Sequence, residues 1–287
     1  MKKLSSTIPG EGKPPTGLKE VINAILLLFL LSGCASVPAP AGRSIGENEE
    51  KRIRDSFTAM TERQQDCFCC VDSGVEVTWK SPFASGQVDG FLQAKAPSFL
   101  RFVEVNPLGQ PWIILATDGK SFAYLPVYEG TLYEGDVNAQ LFTTYAPSGL
   151  DPQHFFYLLT GRVVPGPFHI HDTKRHNTLH QYWLTYAYEE NGDGLRHHAL
   201  YDPKTQRLKE YVLENAGGDI LLKARYVYHW ASKTGDSCVL PMQVVFSFPN
   251  QFGEAEVRFR DPLPDVTFSA LDFKLEPPEG FTRVLVQ

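Results

Sequence analysis

Apolar and polar residues alternate with a period of two over most of the chain from Val75 onward. "VEVTWKS", "QVDGFLQAK", "FLRFVEV", "PWIILAT" and "SFAYLPV" are short runs of this kind, separated by Gly, Pro, Asn or Asp. Each reads as a strand with one face buried, and the residues between them read as chain reversals. "TDGKS" is a hairpin-type turn between two of them. After a mid-chain break, "TLHQYWLTYAYEE", "LRHHALYDP", "RLKEYVLEN", "ILLKARYVYHW", "VLPMQVVFSF" and "EAEVRFRDP" bring the count to about eleven strands.

Two segments follow a helical period. In "NEEKRIRDSFTAMTERQQ", Ile53, Phe57 and Met60 recur at i, i+4 and i+7 behind an acidic first turn, which predicts an amphipathic helix with one apolar stripe. In "GLDPQHFFYLLTG", Asp151 is placed as an N-cap, Pro152 as the first helical residue and Gly161 as the stop, with Phe155, Leu158 and Leu159 on the buried side. Strands joined by short turns pair antiparallel, and a long antiparallel sheet curls rather than lying flat. The expected fold is mainly β: a strongly curved antiparallel half-barrel of about eleven strands, with helices covering the concave face, built from residues 51–287.

The first 33 residues obey a different rule. "VINAILLLFLLSGC" is an apolar run too short to be comfortable as a permanent membrane span. It follows basic residues and ends in small ones, as a secretory signal does. Its last residues, Leu31-Ser32-Gly33-Cys34, resemble the bacterial lipobox, whose cysteine receives a diacylglyceryl group before cleavage. Residues 1–33 are therefore expected to form a lipoprotein signal peptide, and Cys34 the lipidated mature N-terminus. Ala35, where an Asp would retain the protein at the inner membrane under the enterobacterial sorting rule, favours the outer membrane. The Pro/Ala/Gly/Ser-rich residues 34–50 read as a flexible tether.

Charge and composition narrow the function. The formal net charge is −6, and the first 33 residues contribute +2, so the remainder carries −8. Such a chain lacks the basic surface that nucleic acid requires. Aromatic residues, mostly Phe and Tyr, make up 12% of the chain and fall largely in the alternating runs, which suits a roomy apolar interior. There is no G-x-x-x-x-G-K-[ST] loop, no G-x-S-x-G elbow and no H-E-x-x-H, and Lys233-Thr234-Gly235 lacks a Ser-x-x-Lys partner. The chain is expected not to be an enzyme and to need no cofactor. His169, His171, His176, His180, His197 and His198 show no acidic partner at a characteristic spacing, so no metal site is expected. Beyond Cys34, Cys67, Cys69, Cys70 and Cys238 remain. In an oxidising compartment one residue of "CFCC" is placed to pair with Cys238, and the sequence does not say which.

One loop stands apart. In Asn106-Pro107-Leu108-Gly109-Gln110-Pro111 every residue but the leucine is turn chemistry. Lipobox, N-terminal helix, meandering strands, this "NPLG" loop, the helix at "GLDPQHFFYLLTG" and the tail "DVTFSALDFKLEPPEGFTRV" together resemble the outer-membrane lipoprotein receptor LolB and the periplasmic carrier LolA. The likeness extends over most of Val75 to Val286, at the level of pattern. It implies a half-barrel with a helical lid that accepts acylated lipoproteins from a LolA-like carrier and inserts them into the inner leaflet of the outer membrane. The alternative is a non-enzymatic lipid-binding or envelope-assembly lipoprotein of the same fold. By position, the membrane-inserting role falls on Leu108, flanked by Pro107 and Gly109. Such a leucine either folds back onto its own sheet or projects toward a membrane, and the resemblance favours projection. Candidates to line an acyl cavity are Trp79, Phe91, Phe102, Trp112, Ile114, Tyr182, Leu184, Tyr186, Tyr226, Tyr228 and Phe246.

Overall fold

The computed structural model describes residues 40–140, 151–177, 179–189, 194–229, 238–251, 253–263 and 266–286. Among these, fifteen strands form one open sheet. In chain order they are β1 (Gly42–Ser44), β2 (Cys70–Lys80), β3 (Ser85–Lys95), β4 (Phe99–Val105), β5 (Pro111–Thr117), β6 (Ser121–Pro126), β7 (Thr131–Asp136), β8 (Phe168–His176), β9 (Tyr182–Tyr188), β10 (Arg196–Asp202), β11 (Arg207–Glu214), β12 (Ile220–Val227), β13 (Gln243–Phe248), β14 (Gly253–Leu263) and β15 (Thr282–Val286). Two α-helices accompany them, α1 (Glu47–Gln65) and α2 (Phe155–Thr160), besides short 3-10 turns.

Strands β2 to β7 pair in sequence, as do β8 to β14, and β14 lies antiparallel to β2 and joins the two runs. β1 adds to β8 at one edge, and β15 adds to β7 at the other. Among the described strands the β15–β7 pair is parallel, the exception in an otherwise antiparallel sheet.

The sheet is wider than the eleven strands expected. The four additional strands are β1, β7, β8 and β15, all at or next to an edge of one of the two runs. "FHIHDTKRH" and "GRS" carry mostly polar side chains, because an edge strand need bury little. The helices also differ from expectation: they do not cover the concave face. Fifteen strands at about 4.8 Å spacing measure roughly 65–70 Å across, whereas a helix is about 10 Å wide. α1 packs over β8 to β10, where Phe57 meets the rings of Phe168, Tyr186 and Tyr201 at 6.0, 5.9 and 5.5 Å. Arg54 fixes its entry, with Nε donating to Thr173 Oγ1 at 3.1 Å and Nη1 to the Ile170 carbonyl at 3.0 Å. β1 and the first turn of α1 fall inside residues 34–50, the stretch read as tether. Gly42 pairs with His176, and Glu47, Glu49 and Glu50 sit at the positive end of the helix dipole.

The face carrying α1, called inner here, holds the main core. Ile53, Phe57 and Met60 join Leu184, Tyr186, Ala199, Tyr201, Leu222, Tyr226, Val244 and Phe246 in one buried cluster. Leu158, Leu159 and Val163 extend it from α2 and the residues after it. On the outer face, Ala116, Leu125 and Leu132 are covered by Leu275 and Phe281 of the C-terminal segment. A disulfide between Cys67 and Cys238 ties the end of α1 to the approach to β13.

Candidate functional site: an apolar end and the trough behind it

Loop Asn106–Gln110 is built almost entirely by one side chain. Asn106 Oδ1 accepts from the amides of Leu108 and Gln110, both at 3.0 Å. The Gly109 amide reaches the Asn106 carbonyl at 2.8 Å, and the Asn106 amide reaches that of Gln110 at 2.9 Å. Gly109 takes φ of +77°, a backbone position that L side chains rarely adopt. With the backbone committed this way, Leu108 is turned outward and is 83% exposed. It does not fold back onto its sheet.

The strand register gives this tip apolar neighbours. β3 pairs Asp89 with Val105, and β5 pairs Ile113 with Pro126, so the β2–β3, β4–β5 and β6–β7 connections emerge at one end of the sheet. Phe83 sits on the first of these at 97% exposure, in a turn closed by the Ser81 amide donating to the Ala84 carbonyl at 2.8 Å. Tyr128 sits on the third, stacked on Trp112 with ring centroids 5.1 Å apart, both substantially exposed. Trp79, 41% exposed, ends β2 nearby. Isolated exposed apolar residues are ordinary on soluble proteins. Five at one end of one sheet form a surface that water solvates poorly.

Behind this end lies the inner face of β3 to β7. Phe102, Ile113, Leu115, Tyr124 and Tyr133 share that face by register, and all are half-buried. They form a half-buried apolar surface, called the trough here. At its far end Phe156 of α2 packs against Val71 and Ala94. Two glycines shape its lip by close approach. A Cβ on Gly90 would meet the Phe102 ring at 2.8 Å, and one on Gly86 would collide with the Trp79 indole. Glu104 lies on the same face, opposite Gly90 and Ile113, and burial pushes its carboxyl above the usual carboxylate range.

The eleven predicted cavity residues divide among four environments. Trp79 and Phe102 line the trough. Phe91, Trp112 and Ile114 point to the outer face. Tyr182, Leu184, Tyr186, Tyr226 and Phe246 are buried in the closed core of the β8–β14 half. Tyr228 is held by the cations of Arg207 and Lys209, each 5.2 Å from its ring. Ile113, Leu115, Tyr124 and Tyr133 were missed. For the first three the signal is the parity of "PWIILAT" and "SFAYLPV", which becomes readable only once register says which parity faces inward, whereas Tyr133 lies on β7, a strand the pattern did not reveal.

A separate concavity of about 640 Å³ opens where Ala270–Glu276 crosses β5 to β7 on the outer side. Phe99, Ala123, Phe273 and Leu275 line it, and the Arg283–Glu134 ion pair, 2.9 Å, stands at its rim. That volume is within the roughly 300–1,000 Å³ of small-molecule sites. None of the eleven predicted residues lines it.

His197 and His198 are buried in the sheet, whereas His169, His171 and His180 are exposed. His198 shares 3.0 Å with Glu214 and 2.9 Å with Thr185, His197 shares 2.7 Å with the Tyr211 hydroxyl, and His169 lies 3.0 Å from Glu189. Burial lowers the His198 pKa despite the carboxylate beside it. Among the described residues, no group of three His, Cys, Asp or Glu is arranged to hold a metal, and no helix is long and apolar enough to cross a membrane. Cys34 lies outside the described residues.

No protein-family model matches the chain, and no curated protein matches it in sequence. Solved structures do match in shape. A domain assigned to outer membrane lipoprotein sorting from Vibrio parahaemolyticus superposes with a TM-score of 0.52 at 10% identity, over 78% of this chain and 96% of that one. A DUF1329 family protein from Desulfovibrio piger gives 0.54 at 10% identity, over 78% and 96%. A LolA superfamily protein from Nitrosomonas europaea gives 0.52 at 9% identity, over 76% and 97%. The chain has a LolA-like fold. At these identities the likeness is one of fold, and what the chain does has to be argued from its own surfaces.

Proposed function

We propose that this protein is a lipid-anchored outer-membrane protein, facing the periplasm, that handles acyl chains. On this reading Cys34 carries the anchor, the trough shelters the acyl chains of lipoproteins delivered by a LolA-like carrier, and the Leu108 end docks to the inner leaflet for release. One observation carries the reading: a loop built by Asn106 and Gly109 presents Leu108 outward, at the mouth of an apolar trough, beside Phe83, Trp79 and the Trp112–Tyr128 pair. A leucine held in water by dedicated hydrogen bonds is a cost unless something apolar receives it. The chemistry needs no catalytic group, since an acyl chain moves downhill between apolar surroundings.

A second reading rests on a different observation. Five of the predicted cavity residues are locked in core, and the 640 Å³ concavity on the outer face suits one small amphipathic molecule. Here the protein binds a free lipid and takes no lipoprotein cargo.

Photo-crosslinkers at Phe102, Leu115 and Tyr124, compared with one at Phe273, separate the two. Acylated protein captured from the trough positions supports the receptor reading. Lipid alone captured at Phe273 supports the second. Trough positions that capture neither, in cells where lipoproteins are sorted normally after depletion of the protein, would falsify the receptor reading.

A further inference from the structure

Two thiols stand apart from both lipid surfaces. Cys69 Sγ and Cys70 Sγ are 2.8 Å apart, directly after the Cys67–Cys238 disulfide. Cys69 is exposed and Cys70 is completely buried at the start of β2, so a reagent in solvent can reach only the first. Beside them stands a cation without a carboxylate. Arg162 is 6% exposed, stacks on the Phe68 ring at 3.9 Å and donates from Nη1 to the Phe68 carbonyl at 2.9 Å, while its Nη2 is buried with no hydrogen-bond partner among the described residues. Its bond to the Phe68 carbonyl holds the peptide that leads into Cys69. Burial and the Cys69 sulfur beside it raise the Cys70 thiol, although the Lys95 ammonium, held 2.6 Å from the Phe268 carbonyl, lowers it.

We propose that Cys69 and Cys70 are a redox-active dithiol that reduces an incoming disulfide, with Cys69 as attacking sulfur and Cys70 as resolving sulfur. Cys69 S⁻ attacks one sulfur of the incoming disulfide, forming a mixed disulfide and expelling one thiolate. Cys70 then loses its proton to water and attacks Cys69 Sγ, forming the Cys69–Cys70 bond and expelling the second thiolate, which takes up a proton. Two electrons pass from the pair to the incoming disulfide, which leaves as two thiols. A bond between neighbours is readily reversed. Consecutive Cα atoms are about 3.8 Å apart, below the roughly 4.4–6.8 Å that unstrained disulfides prefer, so the Cys69–Cys70 bond is strained and forms only against an incoming disulfide in excess. The sulfur spacing also argues against a shared metal ion. Two sulfurs bonded to one tetrahedral zinc at about 2.3 Å stand roughly 3.7 Å apart. This inference is independent of how the protein handles lipid.

The test uses the full chain with Cys34→Ala, which leaves Cys69 and Cys70 as its free thiols, incubated with a large excess of oxidised glutathione. The expected result is loss of two hydrogens in mass, without dimerisation, and a linked Cys69–Cys70 peptide. Cys70→Ser should instead trap one glutathionyl group on Cys69. Two thiols that remain alkylatable after the incubation overturn the proposal. So does pairing of Cys69 or Cys70 with Cys67 or Cys238.

Discussion

Replacing Leu108 with glutamate isolates the loop from the rest of the molecule. The side chain is 83% exposed, and the loop is held by Asn106 and backbone atoms, none of which the substitution touches. Folding stability should therefore stay within about 0.5 kcal/mol of the parent, as for surface changes that break no packing. Membrane affinity should not. Fully burying a leucine is worth about 1.5–3 kcal/mol. Because 83% of Leu108 is in water before docking, insertion recovers roughly 1–2.5 kcal/mol, which corresponds to about 5- to 60-fold in vesicle partitioning. The assay is sedimentation of the unanchored Cys34→Ala chain with vesicles of outer-membrane lipid composition, alongside thermal unfolding. Phe91→Glu is the control: Phe91 is also exposed, but lies on the outer face away from the tip, and its variant should bind like the parent. Partitioning of Leu108→Glu within about twofold of the parent refutes the reasoning. A fall in stability of more than about 1 kcal/mol shows instead that Leu108 belongs to the fold.

Three further outcomes follow from the packing. Cys67→Ser opens a loop with a sequence separation of 171, and the chain entropy released should cost about 3–5 kcal/mol in chemical denaturation; an unchanged midpoint would show that the bridge does not constrain the unfolded chain. Phe57→Ala removes a fully buried ring from contact with three others and should cost about 3–5 kcal/mol by the same measurement, with release of α1 visible as lost helical circular dichroism. Glu104→Gln should stabilise the protein at neutral pH. Burial raises the Glu104 carboxyl in the folded state, so between the unfolded and folded pKa the native protein holds more protons, and stability falls as pH rises through that window. The advantage of the Glu104→Gln variant should shrink as pH drops below the ordinary carboxylate range, and an advantage independent of pH would mean the gain has another source.

What could be read from the chain depended on how strongly burial writes itself into local pattern. α1 and α2 were legible because an apolar stripe at helical spacing and an Asp-Pro start have few other meanings; α2 runs from Phe155 to Thr160 with Gly161 in the left-handed conformation as its stop. The Leu108 loop was legible for the opposite reason, since one apolar residue sat among turn formers. β8 was not, because "FHIHDTKRH" buries little more than Thr173 and so leaves no period to detect. β15 pairs in parallel with β7 from the far end of the chain, which no short-turn rule anticipates. The cavity candidates were chosen as large aromatics in strands. That criterion does not separate the half of the sheet closed by α1 from the half left open. Nor does it separate Trp112, facing out, from Ile113, facing in. Register settles both, and register is a long-range property.

The unequal closure of the two halves bears directly on how acyl chains could be handled. Shielding a chain costs nothing if the protein already has an open apolar face, whereas a core packed like that around Tyr186 and Leu222 would first have to be taken apart. The wall from Phe102 to Tyr133 is half-buried, so it can cover one side of a chain and leave the other to a partner or to the bilayer. At about 0.8 kcal/mol per methylene, a long chain fully in water costs on the order of 10 kcal/mol, and shelter on one side removes about half of that. The remainder is small enough to be met at once by contact with a second apolar surface. A one-sided trough therefore works only where its mouth can meet such a surface directly, and Leu108 and Phe83 stand at that end of the sheet, with the Trp112–Tyr128 pair beside them on the outer side. A protein that stored a lipid permanently would need the opposite arrangement, with the apolar wall closed over and the polar residues at the rim.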